Sequence, residues 1–151
     1  MSREPVAPMR PNQPAFLDCT CAAVSQTARR IHRVYDAHLK RHGLSIGQFG
    51  MLSHVRHFPG LTRGDLAAHN AMDPSTVSRL TRPLVERMLV ETRPDAEDGR
   101  VHRLHLTTIG HETHVAALVS WRAAQDEIEQ RVGVAKDAEF RRLMQDIVAA
   151  L

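Results

Sequence analysis

Aromatic residues are scarce in this 151-residue sequence: one Trp, one Tyr and four Phe make up 4% of it. Its core must therefore be mostly aliphatic. Cysteines number two, Cys19 and Cys21, which leaves no disulfide framework. On a helix, positions i and i+2 do not face one another, so a bridge between these two would distort the backbone. No apolar run approaches the ~20 residues that span a bilayer. The N-terminal stretch has arginines but lacks the apolar segment of a secretory signal. A cytoplasmic protein with no membrane partner is expected. The sequence also lacks a Gly-rich phosphate loop, a nucleophile elbow and a full metal-ligand set. It reads as a non-enzyme with no cofactor and no metal.

What is present is ordinary in bulk and uneven in detail. Hydrophobic residues at 42% and charged residues at 25% fit a soluble globular domain, and the length suits one domain. The net charge is +3, but residues 1–60 carry eight Lys/Arg against three Asp/Glu, residues 61–106 carry seven of each, and residues 107–151 carry five against seven. A nucleic-acid partner would therefore be met by placed arginines, not by a bulk basic patch.

Residues 1–14 hold four of the eight prolines (Pro5, Pro8, Pro11, Pro14) and read as a flexible N-terminal arm. A long helix is expected over 15–43, its stripe running Leu17, Cys21, Val24, Ala28, Ile31, Tyr35 and His42, with Gly43 as its stop. Ser45 and Gln48 have capping-box spacing and open a second helix, which Pro59-Gly60 ends. Thr62 and Asp65 open a short third helix, and Asn70-Ala71-Met72 is a turn.

Asp73–Arg100 is the stretch the rest is organised around. Asp73 is expected to cap a fourth helix, with Pro74 at its first position. Val77, Leu80, Leu84 and Met88 mark its inward face, while Ser75, Thr76, Ser78, Arg79 and Arg82 lie on the other. Hydroxyls and guanidinium groups on one helix face are what a major groove accepts. Pro83 inside this helix favours a local bend. Leu89–Arg93 and Val101–Leu106 then read as a β-hairpin with Arg100 beside its tip. Thr107 or Thr108 restarts helix to Gly133, and Asp137 is expected to cap a last one with Phe140, Leu143, Met144, Ile147, Val148 and Leu151 on one face. The fold expected is mainly α with a small β-hairpin wing, in the order α-α-α-α-β-β-α-α. A short helix, a turn and a helix with a polar outer face make a helix-turn-helix pattern.

Leu44–Phe49, Leu61–Ala67, Asp73–Leu80, Arg93-Pro94-Asp95, Asp98-Gly99-Arg100 and Leu106–Gly110, in this order, resemble the MarR (multiple antibiotic resistance regulator) family over residues 15–150. The resemblance implies a winged helix-turn-helix homodimer on a pseudo-palindromic double-stranded DNA operator. Residues 45–107 would form the winged DNA-binding core, and 15–43 with 108–151 the dimerisation helices. Carried over by position, Ser75, Thr76, Ser78, Arg79 and Arg82 would meet the major groove and its phosphates. Thr62 and Arg63 would face phosphates, and Arg100 would enter the minor groove with Asp98 holding it. A narrow minor groove does attract an inserted Arg.

Sensing residues are less sharply marked. The resemblance implies a pocket for small aromatic acids, phenols or acyl-thioesters between the first, second and fifth helices, to which His32, Tyr35, Phe49, His54, Arg56 and Trp121 could contribute. Cys19 and Cys21 lie near a helix N-terminus, where the dipole favours thiolate. Cys21 and Tyr35 have the fourteen-residue spacing of the family's hydroperoxide-sensing branch. That branch has a second tyrosine where this chain has Ile46, and it lacks the cysteine doublet. His111 and His114 share a helix face at i,i+3, without further ligands to complete a zinc site. The function expected is a DNA-binding regulator, a repressor released by a small ligand or by thiol oxidation. Two alternatives are a winged-helix module for protein–protein assembly and a thiol- or metal-dependent redox protein using Cys19 and Cys21.

Overall fold

The computed structural model describes residues 19–151. The expected arm, Leu17 and the first residues of the expected 15–43 helix lie outside the described residues. The elements are α1 (Thr20–Leu39), α2 (Ile46–His57), α3 (Arg63–His69), α4 (Pro74–Glu86), β1 (Val90–Pro94), β2 (His102–Leu106), α5 (Thr108–Val132) and α6 (Val134–Ala150). This is the expected order, mainly helical with one two-stranded antiparallel hairpin. No helix among the described residues is long and apolar enough to cross a membrane.

The helix starts follow local chemistry. Ser45 Oγ accepts from the Gln48 amide at 3.2 Å while Gln48 Oε1 accepts from the Ser45 amide at 2.9 Å. Thr62 and Asp65 make the same reciprocal pair at the start of α3. Each pair satisfies donors that a helix start otherwise leaves open. Thr107 caps α5 through the Gly110 amide at 3.0 Å. Gly110 itself is required, because a Cβ there would lie 1.9 Å from the Leu89 carbonyl oxygen.

Five expectations need correction. Helix α1 begins at Thr20, after an extended Cys19, and closes in a separate 3₁₀ turn, Lys40–His42, before Gly43. Asp73 occupies the cap position of α4, but its side chain accepts no capping bond. Asp137 does not cap α6; it lies inside the first turn, 7% exposed, accepting from Gln125 Nε2 at 2.9 Å and pairing with Arg141 at 3.1 Å. Its position turns it toward α5, where a polar partner waits. Met88 is not on the inward face of α4: the helix ends at Glu86, and Met88 sits beyond it with φ +55°, 66% exposed. Thr81 fills the inward face instead, fully buried, its hydroxyl donating to the Val77 carbonyl at 2.9 Å. Finally, Val101 precedes β2, which starts at His102.

The core runs from the C-terminal half of α1 through α2, α3 and α4 to the hairpin. Leu39, Leu52, Leu66, Val77, Leu84 and Leu104 are each 0% exposed. Helix α5 turns small residues inward, including Ala117, Ser120 and Ala124, so α1 packs closely along it. Polar ties cross that seam: Tyr35 donates to Gln125 at 2.5 Å, His38 Nε2 meets Glu127 at 2.7 Å, and His42 Nε2 meets Ser120 at 2.9 Å. The expected stripe of α1 divides. Ile31 and Tyr35 pack inward, whereas Cys21 and Val24 are exposed in the N-terminal half.

Candidate nucleic-acid interface

Helix α4 rests on α3 and α2 through Val77, Leu80, Thr81 and Leu84. That packing turns Ser75, Ser78, Arg79 and Arg82 out to solvent, with Thr76 half-buried. Ser78, Arg79, Arg82 and Pro83 line a shallow depression on this face. Arg82 Nε pairs with Glu86 Oε1 at 3.0 Å along the helix surface, an exposed i,i+4 pair of small energetic weight. Arg79 has no carboxylate partner among the described residues. Thr62 sits at the start of α3 with its hydroxyl occupied by Asp65. Arg63 leans on α4, its Nε 3.4 Å from Thr81 Oγ1.

The hairpin is fixed from its base. Register pairs Val90 with Leu106 and Pro94 with His102. The free edge of β2 exchanges bonds with the α2–α3 connection, Leu104 N–H to Leu61 O at 2.9 Å and Gly60 N–H to Leu104 O at 3.0 Å. Arg103 Nη1 donates to Gly60 O at 2.9 Å, and its Nε pairs with Asp95. Asp95 Oδ1 accepts from the amides of Glu97 and Asp98 at 2.8 and 3.1 Å. Arg103 and these amides hold the Asp95 carboxyl down to about 2.

At the tip, Asp98 Oδ1 accepts from both the amide and the Nε of Arg100 at 3.0 Å, and Oδ2 accepts from Nη2 at 3.2 Å. The Arg100 side chain is nonetheless 93% exposed. An exposed cation is thus aimed by its carboxylate partner, not buried. Two presented surfaces result, one on α4 and one at the hairpin tip, both held by the same core.

The sensing candidates separate into three places. Phe49, Arg56 and Trp121 line a cavity of about 290 Å³ between α2 and α5. Tyr35 stands behind it, stacked on Trp121 with centroids 6.1 Å apart, and burial raises its hydroxyl pKa above the usual value. His32 is exposed on α1, and His54 Nδ1 bonds to Gly50 O of its own helix at 2.9 Å; neither lines the cavity. Cys19 lines a different groove, with Phe140, Leu143, Met144 and Ile147 of α6, and Cys21 is exposed beside it.

The cavity also uses Ser53, His57, His114 and Leu118, which sequence reasoning did not place there. The signal was available as spacing: Phe49, Ser53 and Arg56 on α2 match His114, Leu118 and Trp121 on α5, each at steps of four and three. His114 stacks on Phe49, centroids 5.2 Å apart. Arg56 Nη1 lies 2.8 Å from His114 Nδ1, and Ser53 Oγ 3.0 Å from His114 Nε2. Arginine can only donate, so Nδ1 accepts and Nε2–H donates to Ser53. Burial and the Arg56 charge push His114 down to about 4, so it is neutral near pH 7. It does not act with His111 as a metal pair, and no cluster of three or more metal-ligating side chains occurs among the described residues.

Comparison with known proteins adds to this geometry. The sequence model of the MarR family matches residues 42–101. An HTH-type transcriptional repressor of Mycobacterium tuberculosis is 26% identical over 105 residues, 70% of this chain and 76% of that protein. The structure of the M. tuberculosis transcriptional regulator MosR is 27% identical, covers 89% of this chain and 99% of its own, and superposes with a TM-score of 0.73. MosR in complex with DNA is 28% identical, with coverages of 87% and 98% and a TM-score of 0.71. The repressor CouR bound to a 23-mer DNA duplex shares the fold at a TM-score of 0.82, at 17% identity, covering 94% of this chain and 99% of that one. These relatives are transcription regulators, which sets aside the alternative of a thiol- or metal-dependent redox enzyme.

Proposed function

We propose that this chain, which belongs to the MarR family of winged-helix transcription regulators, acts as a homodimeric repressor on a pseudo-palindromic operator and is released by a small aromatic anion. That it is a DNA-binding regulator and not an enzyme follows from the family. The residue roles are our reading. Ser75, Thr76, Ser78 and Arg79 read the major groove, with Arg82 on a phosphate, Thr62 and Arg63 facing the adjacent backbone, and Arg100 in the minor groove. The observation that carries it is Arg100, 93% exposed yet oriented by three bonds from its own amide and guanidinium to Asp98. A charge ordered before binding loses less rotamer freedom on contact. The test is selection of duplexes from a random pool, followed by binding of Arg79→Ala and Arg100→Ala. Both should lose affinity for the selected duplex; full affinity in both would overturn the assignment.

Ligand release is favoured over thiol release by the cavity between α2 and α5. Its walls are Phe49, Trp121 and the neutral His114, and no carboxylate lies within ion-pair distance of Arg56 among the described residues. Flat apolar walls beside one uncompensated guanidinium suit an aromatic carboxylate or phenolate. Benzoate and salicylate are the probes: each should displace DNA from the wild type and fail with Arg56→Ala. If peroxide displaces DNA from wild type and not from Cys21→Ser, the signal is the thiol. A DNA-insensitive protein partner, with no duplex enriched from the pool, would favour the protein–protein module.

A further inference from the structure

Recognition helix α4 ends in a short turn that touches both long helices. Arg87 closes α4 and reaches away from it, to the end of α1. Its Nη1 donates to Gly43 O at 2.6 Å and its Nη2 to His42 O at 2.9 Å. These carbonyls close the 3₁₀ turn that finishes α1, where helical carbonyls lack intrahelical partners and a cation is favoured by the dipole. Gly43 has φ +65°, and a Cβ there would sit 3.3 Å from both guanidinium nitrogens; the turn is shaped to admit the fork. Among the described residues, these are the side-chain hydrogen bonds that run from the recognition helix and its cap to α1 and its terminal turn. One step further, Thr107 Oγ1 donates to Met88 O at 2.6 Å, and Gly110 packs on Leu89 O. The turn 87–89 is therefore gripped by α1 on one side and by the start of α5 on the other.

We infer that Arg87 is a positioning residue for operator recognition: it locks the direction of α4 to α1, and so sets which half-site spacing a dimer accepts. Arginine suits the task because its planar fork spans two successive carbonyls, which an ammonium reaches only as a point charge. A dimer's recognition helices must meet half-sites at a fixed separation along the duplex. Any slack between α4 and α1 broadens that separation while leaving each half-site contact intact.

The inference rests on the dimeric DNA-binding reading, and the two fail differently. Duplexes selected from a random pool by the wild type are remade with the half-sites one base pair closer and one farther, and as a lone half-site. Arg87→Ala, Arg87→Lys and wild type are titrated on all four. The wild type should prefer one spacing at least tenfold. Arg87→Ala should flatten that preference to threefold or less, keep its affinity for the lone half-site within twofold, and keep its helical circular dichroism. Arg87→Lys should fall between. Unchanged spacing preference in Arg87→Ala overturns the inference. So does an equal loss on the lone half-site, which would mark Arg87 as a phosphate contact. A wild type indifferent to spacing overturns the dimeric reading itself, and the inference with it.

Discussion

The span from Leu44 to Leu106 and the frame of α1, α5 and α6 differ in how complete they are within one chain. The first region buries its apolar residues within one chain, sharing its core with the C-terminal half of α1 and with α5: Leu52, Leu66, Val77, Leu84 and Leu104 are each 0% exposed, and two of its helices begin in full capping boxes. The frame leaves apolar side chains outside, among them Val24, Val119, Leu143 and Val148, the last 76% exposed. Apolar surface of this extent on long helices marks a site for association. The two parts divide the labour. One part presents arginines on a buried base, and the other leaves an apolar face that the proposed second copy would cover.

The contrast breaks most sharply at the core. Leu104→Ala should lower unfolding stability by about 2–5 kcal/mol, the usual range for a buried leucine, as read by urea denaturation. Val148→Ala on α6 should change it by less than ~0.5 kcal/mol at concentrations where the chain is monomeric. It should weaken self-association measured by sedimentation. Equal costs at the two positions would dissolve the distinction.

His114 sits on the seam between the regions, joined to Ser53 and Arg56 of α2. Its folded-state pKa is about 4, below the ordinary 6.5. As pH falls below 6.5, the unfolded chain takes up a proton that the folded chain refuses, so stability declines until about pH 4. The shift corresponds to at most about 3 kcal/mol. Denaturation between pH 7 and 4 should show this slope, and His114→Gln should flatten it.

The presented arginines come next. Arg79→Ala and Arg100→Ala should each cost about 1–3 kcal/mol in binding a selected duplex, with thermal unfolding unchanged. Fluorescence anisotropy at fixed salt checks both. Met88→Gly is the smallest change. At φ +55° a methionine is held in the left-handed region, and glycine should gain about 1 kcal/mol of stability there, without altering DNA affinity.

The same contrast explains what was legible in the sequence. Within 44–107, capping pairs such as Ser45/Gln48 and Thr62/Asp65 are local, so their spacing alone marked the helix starts. The Asp98–Arg100 contact, which the family resemblance implies, spans only two residues. What was missed depends on partners distant in sequence. Asp137 carries the signature of a cap, but Gln125 and Arg141 draw it into a polar cluster between α5 and α6. Met88 kept helical period past the point where Met88 and Leu89 meet Thr107. Ser53 and His114 are 61 residues apart: each lies on a four-and-three stripe of its own helix, but the pairing of the two stripes is a tertiary fact. The resemblance implies a pocket between the first, second and fifth helices to which His32 and His54 could contribute, yet helix phase turns one to solvent and the other onto its own backbone.

Under the proposed dimeric reading, the arginine-bearing surface of residues 44–106 works in pairs whose separation is set by α1, α5 and α6. The most direct measurement is the mass of the protein–DNA complex, by light scattering, on the duplex this chain selects from a random pool. Two chains per duplex and an inverted repeat in the selected sequence are expected, with half-sites about one helical turn apart. One chain per duplex, or a selected site without two-fold symmetry, would contradict it.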